Sequence, residues 1–303
     1  MSGQILLEGL LAGAMIGLGA VGLTLTYSIL RFANFAHGEL LSWGAYLSLS
    51  LSLAIGAVSG ASLAPLEPFS VSVALILAGL LAMALTAILA LAVDHLLFAR
   101  LRRRGATAII VVMASFGASM ALRSLLEFFY TSKPAYYSRE LQIAMPLPGG
   151  IRATPDQLLL IGLAFVAVIA VHLLLTRTDL GRAMRAVSEN PALAGVVGID
   201  TAKIVRAVWI IGGALACTAG TMSGLLVQIR PYMGFDLLLP LFAAVILGGI
   251  GSVPGAMLGG LLVGLCEALA VQTIGAEWRA AVAFAVITVV LVLRPTGLFG
   301  RAA

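Results

Sequence analysis

Charged side chains are scarce in this sequence. Asp, Glu, Lys and Arg together make up 10% of its 303 residues, whereas hydrophobic residues make up 61%. Soluble domains carry about 25% charged residues, so the composition argues strongly against a soluble fold. Lysine is nearly absent, and neither Lys133 nor Lys203 follows a glycine-rich turn. The sequence therefore has no P-loop with which to bind and hydrolyse ATP.

Cysteine is equally rare. Cys217 and Cys266 lie far apart in apolar runs, which favours two small buried side chains over a disulfide or a metal-binding pair. The formal net charge of +5 comes from arginines gathered in particular loops. In such an apolar chain this excess bears on membrane orientation and does not indicate nucleic-acid binding.

Long apolar runs fill most of the chain. A helix needs about 20 apolar residues to cross the hydrocarbon of a bilayer, and two of the runs are too short to do so alone. We expect an all-α polytopic membrane protein with about eight to ten transmembrane or re-entrant helices, folded as one domain over residues 1–303. The runs lie at about 5–30, 38–57, 71–98, 107–129, 157–175, 205–228, 237–249, 256–272 and 280–294.

Arginine-bearing loops predict the orientation. The segment 99–105 carries four arginines, and the loop 176–206 and the C-terminal tail are also basic. By the positive-inside rule these three regions should be cytoplasmic. The segments 58–70 and 130–156 then fall on the external side, and so does the N-terminus.

A polar cluster interrupts the first two apolar runs in "RFANFAHGEL", residues 31–40. Backbone polar groups in lipid need partners, so Asn34, His37, Gly38 and Glu39 predict a helix break that lines a hydrated path. An ordinary short loop is the alternative reading. A metal site is not favoured, because positions i and i+2 do not share a helix face.

A second interruption occurs late, in "LGGIGSVPGAMLGG", residues 247–260. Its glycines and proline predict a structured break between two short spans, followed by close helix packing. Exposed amides there could line a solute path, and the alternative is a simple tight turn. The residues concerned are Gly248, Gly249, Gly251, Pro254 and Gly255. Glu267 lies about ten residues inside the following span, where an interhelical role and an interfacial one are equally consistent with its position.

The basic loop contains "TDLGRAMRAVSENPALAGVVGID", residues 178–200. Asn190 as N-cap and Pro191 at the first helical position predict a short helix over 191–197 that ends at Gly198. Such a helix could dock into the groove of a partner or lie at the lipid interface.

Three stretches together resemble one family. "NFAHGE", "ENPALAGVVGID" and "VILGGIGSVPGAMLGGLLVGLCEAL" are similar to the signature regions of LivH-type permeases of ABC importers for branched-chain amino acids. The resemblance runs from about residue 15 to the ending "LRPTGLFG", residues 293–300. It implies the fold of an ABC importer permease in the bacterial inner membrane.

The resemblance also implies partners. They are a second, LivM-like permease, two cytoplasmic ATPase subunits that bind the ATP, and a periplasmic solute-binding protein. The loop helix would be the coupling helix, and the residues carried over to it are Glu189, Asn190, Pro191, Ala194, Gly198 and Ile199. We expect the permease itself to need no cofactor and not to be an enzyme.

Substrate and driving force leave alternatives. Members of the family also import urea, short amides and other small acids, so a branched-chain amino acid is an expectation from resemblance. A proton-driven carrier using His37, Glu39 or Glu267 is a second reading, but such a carrier needs no cytoplasmic docking helix. An intramembrane enzyme is a third, and the sequence has no Ser/His/acid set to support it.

Overall fold

The fold is described by a computed structural model that covers residues 3–59, 66–138, 142–147, 150–294 and 296–300. These residues form helices and one small hairpin. The α-helices are α1 (Gly3–Leu30), α2 (Ala36–Ser59), α3 (Val73–Val93), α4 (Ala99–Arg103), α5 (Ala108–Tyr130), α6 (Pro155–Arg177), α7 (Asp179–Glu189), α8 (Pro191–Val196), α9 (Thr201–Leu226), α10 (Met233–Gly248), α11 (Val253–Thr273) and α12 (Arg279–Leu293). A π-helix, Asp94–Phe98, joins α3 to α4, and a 3₁₀ turn, Ala276–Trp278, leads into α12. The hairpin pairs β1 (Met145–Leu147) with β2 (Ile151–Ala153).

Eight helical segments among these residues are long and apolar enough to cross a membrane, which confirms the predicted helical membrane fold. The predicted short spans are only half right. α10 has 16 residues, or about 24 Å of helix, and is short of a full crossing. α11 has 21 residues and is long enough, because it begins at Val253, where the side chain of Ser252 caps it. The predicted start at residue 256 was therefore wrong.

α1 forms the centre of the bundle. It carries apolar residues on every side, and 67% of its membrane-spanning part is buried, because other helices surround most of it. α11 lies against it at backbone distance. A Cβ added at Gly260 or Gly264 would collide with the backbone of Gly17 or Gly13. The two helices therefore approach closely because neither carries a side chain at the crossing.

The outer helices are buried on one face only. Only 17% of the membrane-spanning part of α6 is buried, and only 6% of the span that contains α12. Their outward side chains are nevertheless apolar, and Phe165 and Val292 are each more than half exposed. Apolar outer faces are what contact with lipid tails requires.

The ends of the bundle differ in charge. Arg31 at the end of α1 donates to the carbonyls of Ser188 and Glu189, and the α10–α11 turn lies nearby. This is the arginine end, which the positive-inside rule predicts to be cytoplasmic. At the opposite, hairpin end, Arg152 of β2 donates its backbone N–H to Gln4, and Ala135 forms a bridge with Ile229. The predicted external loop 58–70 lies partly outside the described residues.

Candidate functional site

The chain re-enters the bundle between α1 and α2. Residues 31–35 are not helical, and α2 begins at Ala36. His37 lies beside Gly19, which is eleven residues before the end of α1. Eleven helical residues span about 16 Å, so α2 starts deep inside the bundle. The predicted break is therefore real, but it lies before His37, Gly38 and Glu39, which are helical and not part of it.

Hydrogen bonds satisfy the backbone of this buried entry. The Asn34 side chain accepts from the N–H of Ala36 at 3.1 Å and so caps α2. The N–H of Phe35 donates to Ser115 Oγ of α5 at 3.1 Å, and that hydroxyl lies 3.3 Å from the carbonyl of Ala33. Non-helical backbone at membrane depth is tolerated only where protein or water satisfies it. Here a serine of α5 and the asparagine supply the partners.

His37 fixes α2 against α1. Its Nε2 lies 3.1 Å from the carbonyl oxygen of Gly19, so the ring donates to that carbonyl. Gly22 makes room for the ring, because a Cβ there would lie 3.0 Å from the imidazole Cε1. Asn34, His37 and Glu39 are each fully buried. His37 therefore links α2 to α1, whereas Asn34 caps α2, and the lining of a hydrated path by the three residues stays a prediction.

Gly38 is required by a helix crossing. A Cβ at this position would lie 2.5 Å from the carbonyl oxygen of Gly234 in α10. Ser42, one turn later, accepts from the N–H of Gly234 at 2.9 Å. Gly38 thus lets α2 and α10 touch through their backbones.

Glu39 forms a buried ion pair with Arg123 of α5. Its Oε1 accepts from Arg123 Nη2 at 2.6 Å, from Nε at 3.1 Å and from Ser119 Oγ at 3.1 Å. The guanidinium lies over the ring of Phe235, 4.3 Å from its centroid, and 5.0 Å from that of Tyr232. The arginine side chain is 11% exposed and the glutamate side chain is 0% exposed. The carboxylate therefore links α2 to α5 and, through the arginine, to α10.

Sequence reasoning missed Arg123 and its two serines. Ser115, Ser119 and Arg123 recur at intervals of four in an otherwise apolar helix. Residues four apart lie on one helix face, so this spacing marks a polar stripe. All three positions of the stripe contact the polar cluster of residues 33–39.

The late glycine-rich stretch is a turn between α10 and α11. Gly249 and Gly251 adopt φ values of +92° and +87°, which residues other than glycine rarely adopt. Gly248 ends α10, and Pro254 and Gly255 lie in the first turn of α11. A Cβ on Gly255 would meet the carbonyl of Gly248. The predicted structured break and close packing are confirmed, and contact of the turn with solute stays a prediction.

The C-terminal tail closes this turn. The N–H of Leu298 donates to the carbonyl of Leu247 at 2.8 Å, and that of Phe299 donates to Gly248 at 3.1 Å. The last carbonyls of a helix have no partner within it, so the tail acts as the cap of α10. Beside the turn lies a cavity of about 570 Å³ whose other wall includes Arg185 and Ser188 of α7.

The basic loop folds into the predicted short helix. α8 starts at Pro191, and the Asn190 side chain accepts from the N–H of Leu193 at 3.0 Å. Gly198 has a φ of +87°, consistent with a helix end, and Ile199 closes the helix by donating its N–H to Ala194 at 2.9 Å. α7 precedes it, ends at Glu189, and buries Met184 and Val187 against the bundle.

α8 turns its apolar side chains away from the bundle. Leu193 is 60% exposed, Val196 84% and Val197 69%, whereas Ala194 is buried. Three neighbouring exposed apolar residues on a short helix at the arginine end form a surface that a partner would cover.

Glu267 is buried in α11. Its Oε2 lies 3.7 Å from Arg279 Nε of α12, and its side chain is 5% exposed against 59% for the arginine. The interhelical role is thus the one the structure supports. Across the residues that the structure covers, no group of three His, Cys, Asp or Glu side chains could hold a metal ion.

Comparison with known proteins gives a consistent result. The family model described as "Branched-chain amino acid transport system / permease component" matches residues 5–291. The high-affinity branched-chain amino acid transport system permease protein BraD of Pseudomonas aeruginosa is 32% identical over 98% of this chain and 95% of its own. The corresponding LivH of Escherichia coli K12 is 29% identical over the same shares.

A distant solved structure is PsaBC from Streptococcus pneumoniae in complex with Fab. It shares 11% identity and covers 95% of this chain and 91% of its own, with a TM-score of 0.46.

Proposed function

Since the chain belongs to the family of permease components of branched-chain amino acid transport systems, we propose that it carries leucine, isoleucine and valine across the inner membrane. It is a membrane-spanning permease subunit of an ATP-driven ABC importer, and its complex includes ATPase and other subunits. The proposed partners are a second, LivM-like permease, two ATPase subunits at the arginine end and a periplasmic solute-binding protein. ATP stays with the ATPases.

The exposed apolar face of α8 is the observation that carries the proposal. Leu193 and Val196 of this helix and Val197, which follows it, are exposed at the arginine end, where an ATPase subunit would bind. α8 lies between α7, which is packed on the bundle, and α9, which crosses it. Closure of the ATPases would therefore move α8 and shift α7 and α9 with it. Such a shift would open the solute path to alternate sides of the membrane.

The solute path is proposed to be weakly polar. A branched side chain needs apolar walls, whereas its ammonium and carboxylate groups need polar partners. The ring of Phe35 packs against Phe116 of α5 and Phe242 of α10, with centroids 6.0 and 5.3 Å away. This aromatic cluster lies at the re-entry of α2, and Arg123 of α5, whose side chain is 11% exposed, contacts Phe235 of α10. We place the path along α5 and α10, between this chain and the second permease.

Uptake measurements test the substrate. The complex is reconstituted in liposomes with its ATPases and binding protein, and labelled leucine or labelled urea is supplied outside. We expect accumulation of leucine that requires ATP and survives an uncoupler. Accumulation of urea in place of leucine would overturn the substrate, and uptake that collapses with the uncoupler would overturn the ATP-driven mechanism.

Substitutions on α8 test the docking role. Ala194→Pro removes the hydrogen bond from the N–H of residue 194 to Asn190 and should break the helix. Val196→Ser leaves the helix intact, because Val196 is 84% exposed. Both variants should insert normally but lose co-purifying ATPase, Val196→Ser by about tenfold in affinity for a loss near 1.4 kcal/mol. The control is Val292→Ser on the outer face of α12. Wild-type ATP-driven uptake by Ala194→Pro would count against docking.

A further inference from the structure

A cavity at the arginine end is not accounted for by transport. It measures about 640 Å³ and lies between the end of α3 with its π-helix and α4 on one side, and the first turns of α9 on the other. Its walls combine Leu91 and Val205 with three arginines, Arg102, Arg103 and Arg206. π-Helical turns occur frequently at functional sites, and this one forms the cavity wall with Asp94 and His95.

The cavity carries more positive than negative charge. Asp94 is the one carboxylate in its wall, and it forms an ion pair with Arg102 at 2.8 Å. The Nη1 atom of Arg102 is nevertheless buried without a hydrogen-bond partner in the described part of the chain. Arg103 has no ion pair among the described residues, and the hydrogen bond recorded for Arg206 joins its Nε to the carbonyl of Ala202 in its own helix. These guanidinium groups are available to bind an anion.

Both sides of the cavity also carry apolar residues. Leu91 belongs to the last turn of α3 and Val205 to the second turn of α9, so both lie within helices that cross the membrane. The neighbouring Leu96 is 59% exposed. A ligand that fills the cavity would thus meet apolar side chains of two membrane-crossing helices together with arginines near the helix ends. That combination of groups suits a phospholipid with an anionic headgroup.

We propose that this cavity binds an anionic phospholipid of the cytoplasmic leaflet. The phosphate lies among Arg102, Arg103 and Arg206, and the beginnings of the acyl chains lie against Leu91 and Val205. Basic pockets between transmembrane helices on the cytoplasmic side are known to take such headgroups. Because α9 begins five residues after α8 ends, the bound lipid would also hold the helix that follows the docking surface.

Lipid retention by the purified transporter complex tests the proposal. The complex is delipidated in detergent, incubated with phosphatidylglycerol or phosphatidylcholine, and examined by native mass spectrometry and by thermal unfolding. We expect phosphatidylglycerol to be retained and to raise the unfolding temperature, and phosphatidylcholine to do neither. The double variant Arg103→Gln/Arg206→Gln should retain at least tenfold less phosphatidylglycerol.

The control removes the same number of charges from the segment that contains Arg103. Arg100→Gln/Arg104→Gln alters two exposed arginines that do not line the cavity, and it should retain phosphatidylglycerol as the wild type does. Equal loss in both double variants would overturn the site in favour of general attraction to a basic surface. Stabilisation by inorganic phosphate alone, equal to that by phosphatidylglycerol, would assign the cavity to a free anion and overturn the lipid.

Discussion

Two helix contacts in this bundle are built in opposite ways. α1 meets α11 through glycines, and the backbones touch because side chains are absent. α2 meets α5 through Glu39, Ser119 and Arg123, and the helices are joined by charged and polar side chains. The first contact depends on shape and the second on charge. Helices in lipid need such specific contacts, because burial of apolar surface alone does not favour a neighbouring helix over lipid tails. Close packing through glycines and pairing of charged side chains are two ways to supply them.

The difference predicts how each contact fails. A side chain added at a backbone crossing cannot rotate away, since the obstacle is another backbone. A charge removed from a buried pair leaves its partner uncompensated, and a second substitution can remove that partner. Damage to the glycine contact should therefore be irreparable at the site, whereas damage to the ion pair should be reparable.

The largest effect is expected from Gly264→Leu. A Cβ at this position would lie 2.7 Å from the carbonyl oxygen of Gly9 and would collide with the backbone of Gly13. We expect the free energy of unfolding in detergent to fall by more than about 4 kcal/mol, because overpacking against a backbone is among the causes of such exceptional losses.

The matched control is Gly117→Leu in α5, where a Cβ meets nothing within 4 Å. There the helix should be unchanged or stabilised by about 1 kcal/mol, because leucine has the higher helix propensity. A wild-type unfolding midpoint for Gly264→Leu would contradict the backbone contact between α1 and α11.

The next largest effect is expected from Glu39→Gln. Removing one member of a buried pair costs about 3–5 kcal/mol. We expect the lower end of this range, because Arg123 is 11% exposed and keeps its contact with the ring of Phe235. The double variant Glu39→Met/Arg123→Met should return to within about 1 kcal/mol of the wild type, because apolar replacement of a buried pair is often neutral. Denaturation of the wild type, Glu39→Met, Arg123→Met and the double variant gives the coupling energy. A double variant as unstable as the sum of the singles would show that the two residues are not coupled.

The sequence indicated the fold well because hydropathy and caps are local. The spans, the break before α2 and the Asn190 cap follow from neighbouring residues. The partner of Glu39 lies 84 positions away, and no local rule connects the two. The four-residue spacing of Ser115, Ser119 and Arg123 indicates a polar face but not what it faces. The cap that the tail places on α10 is likewise long-range, because it joins Phe299 to Gly248.

Transport by the same variants distinguishes two roles of the Glu39–Arg123 pair, which are support of α2 and direct contact with the solute. Glu39→Gln should slow ATP-driven uptake more than Glu8→Gln does, because Glu8 is exposed and Glu39 is not. If the ion pair only supports α2, the Met/Met double variant should recover uptake together with stability. Recovery of stability without uptake would instead show that one of the two side chains touches the solute. Equal slowing by Glu39→Gln and Glu8→Gln would remove the polar cluster from the transport mechanism.

The smallest effect is expected from Glu267→Gln, although Glu267 is also a buried acid. Its partner Arg279 is 59% exposed and 3.7 Å away, so solvent screens the pair and water compensates the arginine when the charge is lost. The change in the free energy of unfolding should stay below about 1 kcal/mol. A smaller loss than that of Glu39→Gln in the same denaturation series would show that the cost depends on how deeply the unpaired arginine is buried. A loss as large as that at Glu39 would mean that burial of the acid alone sets the cost.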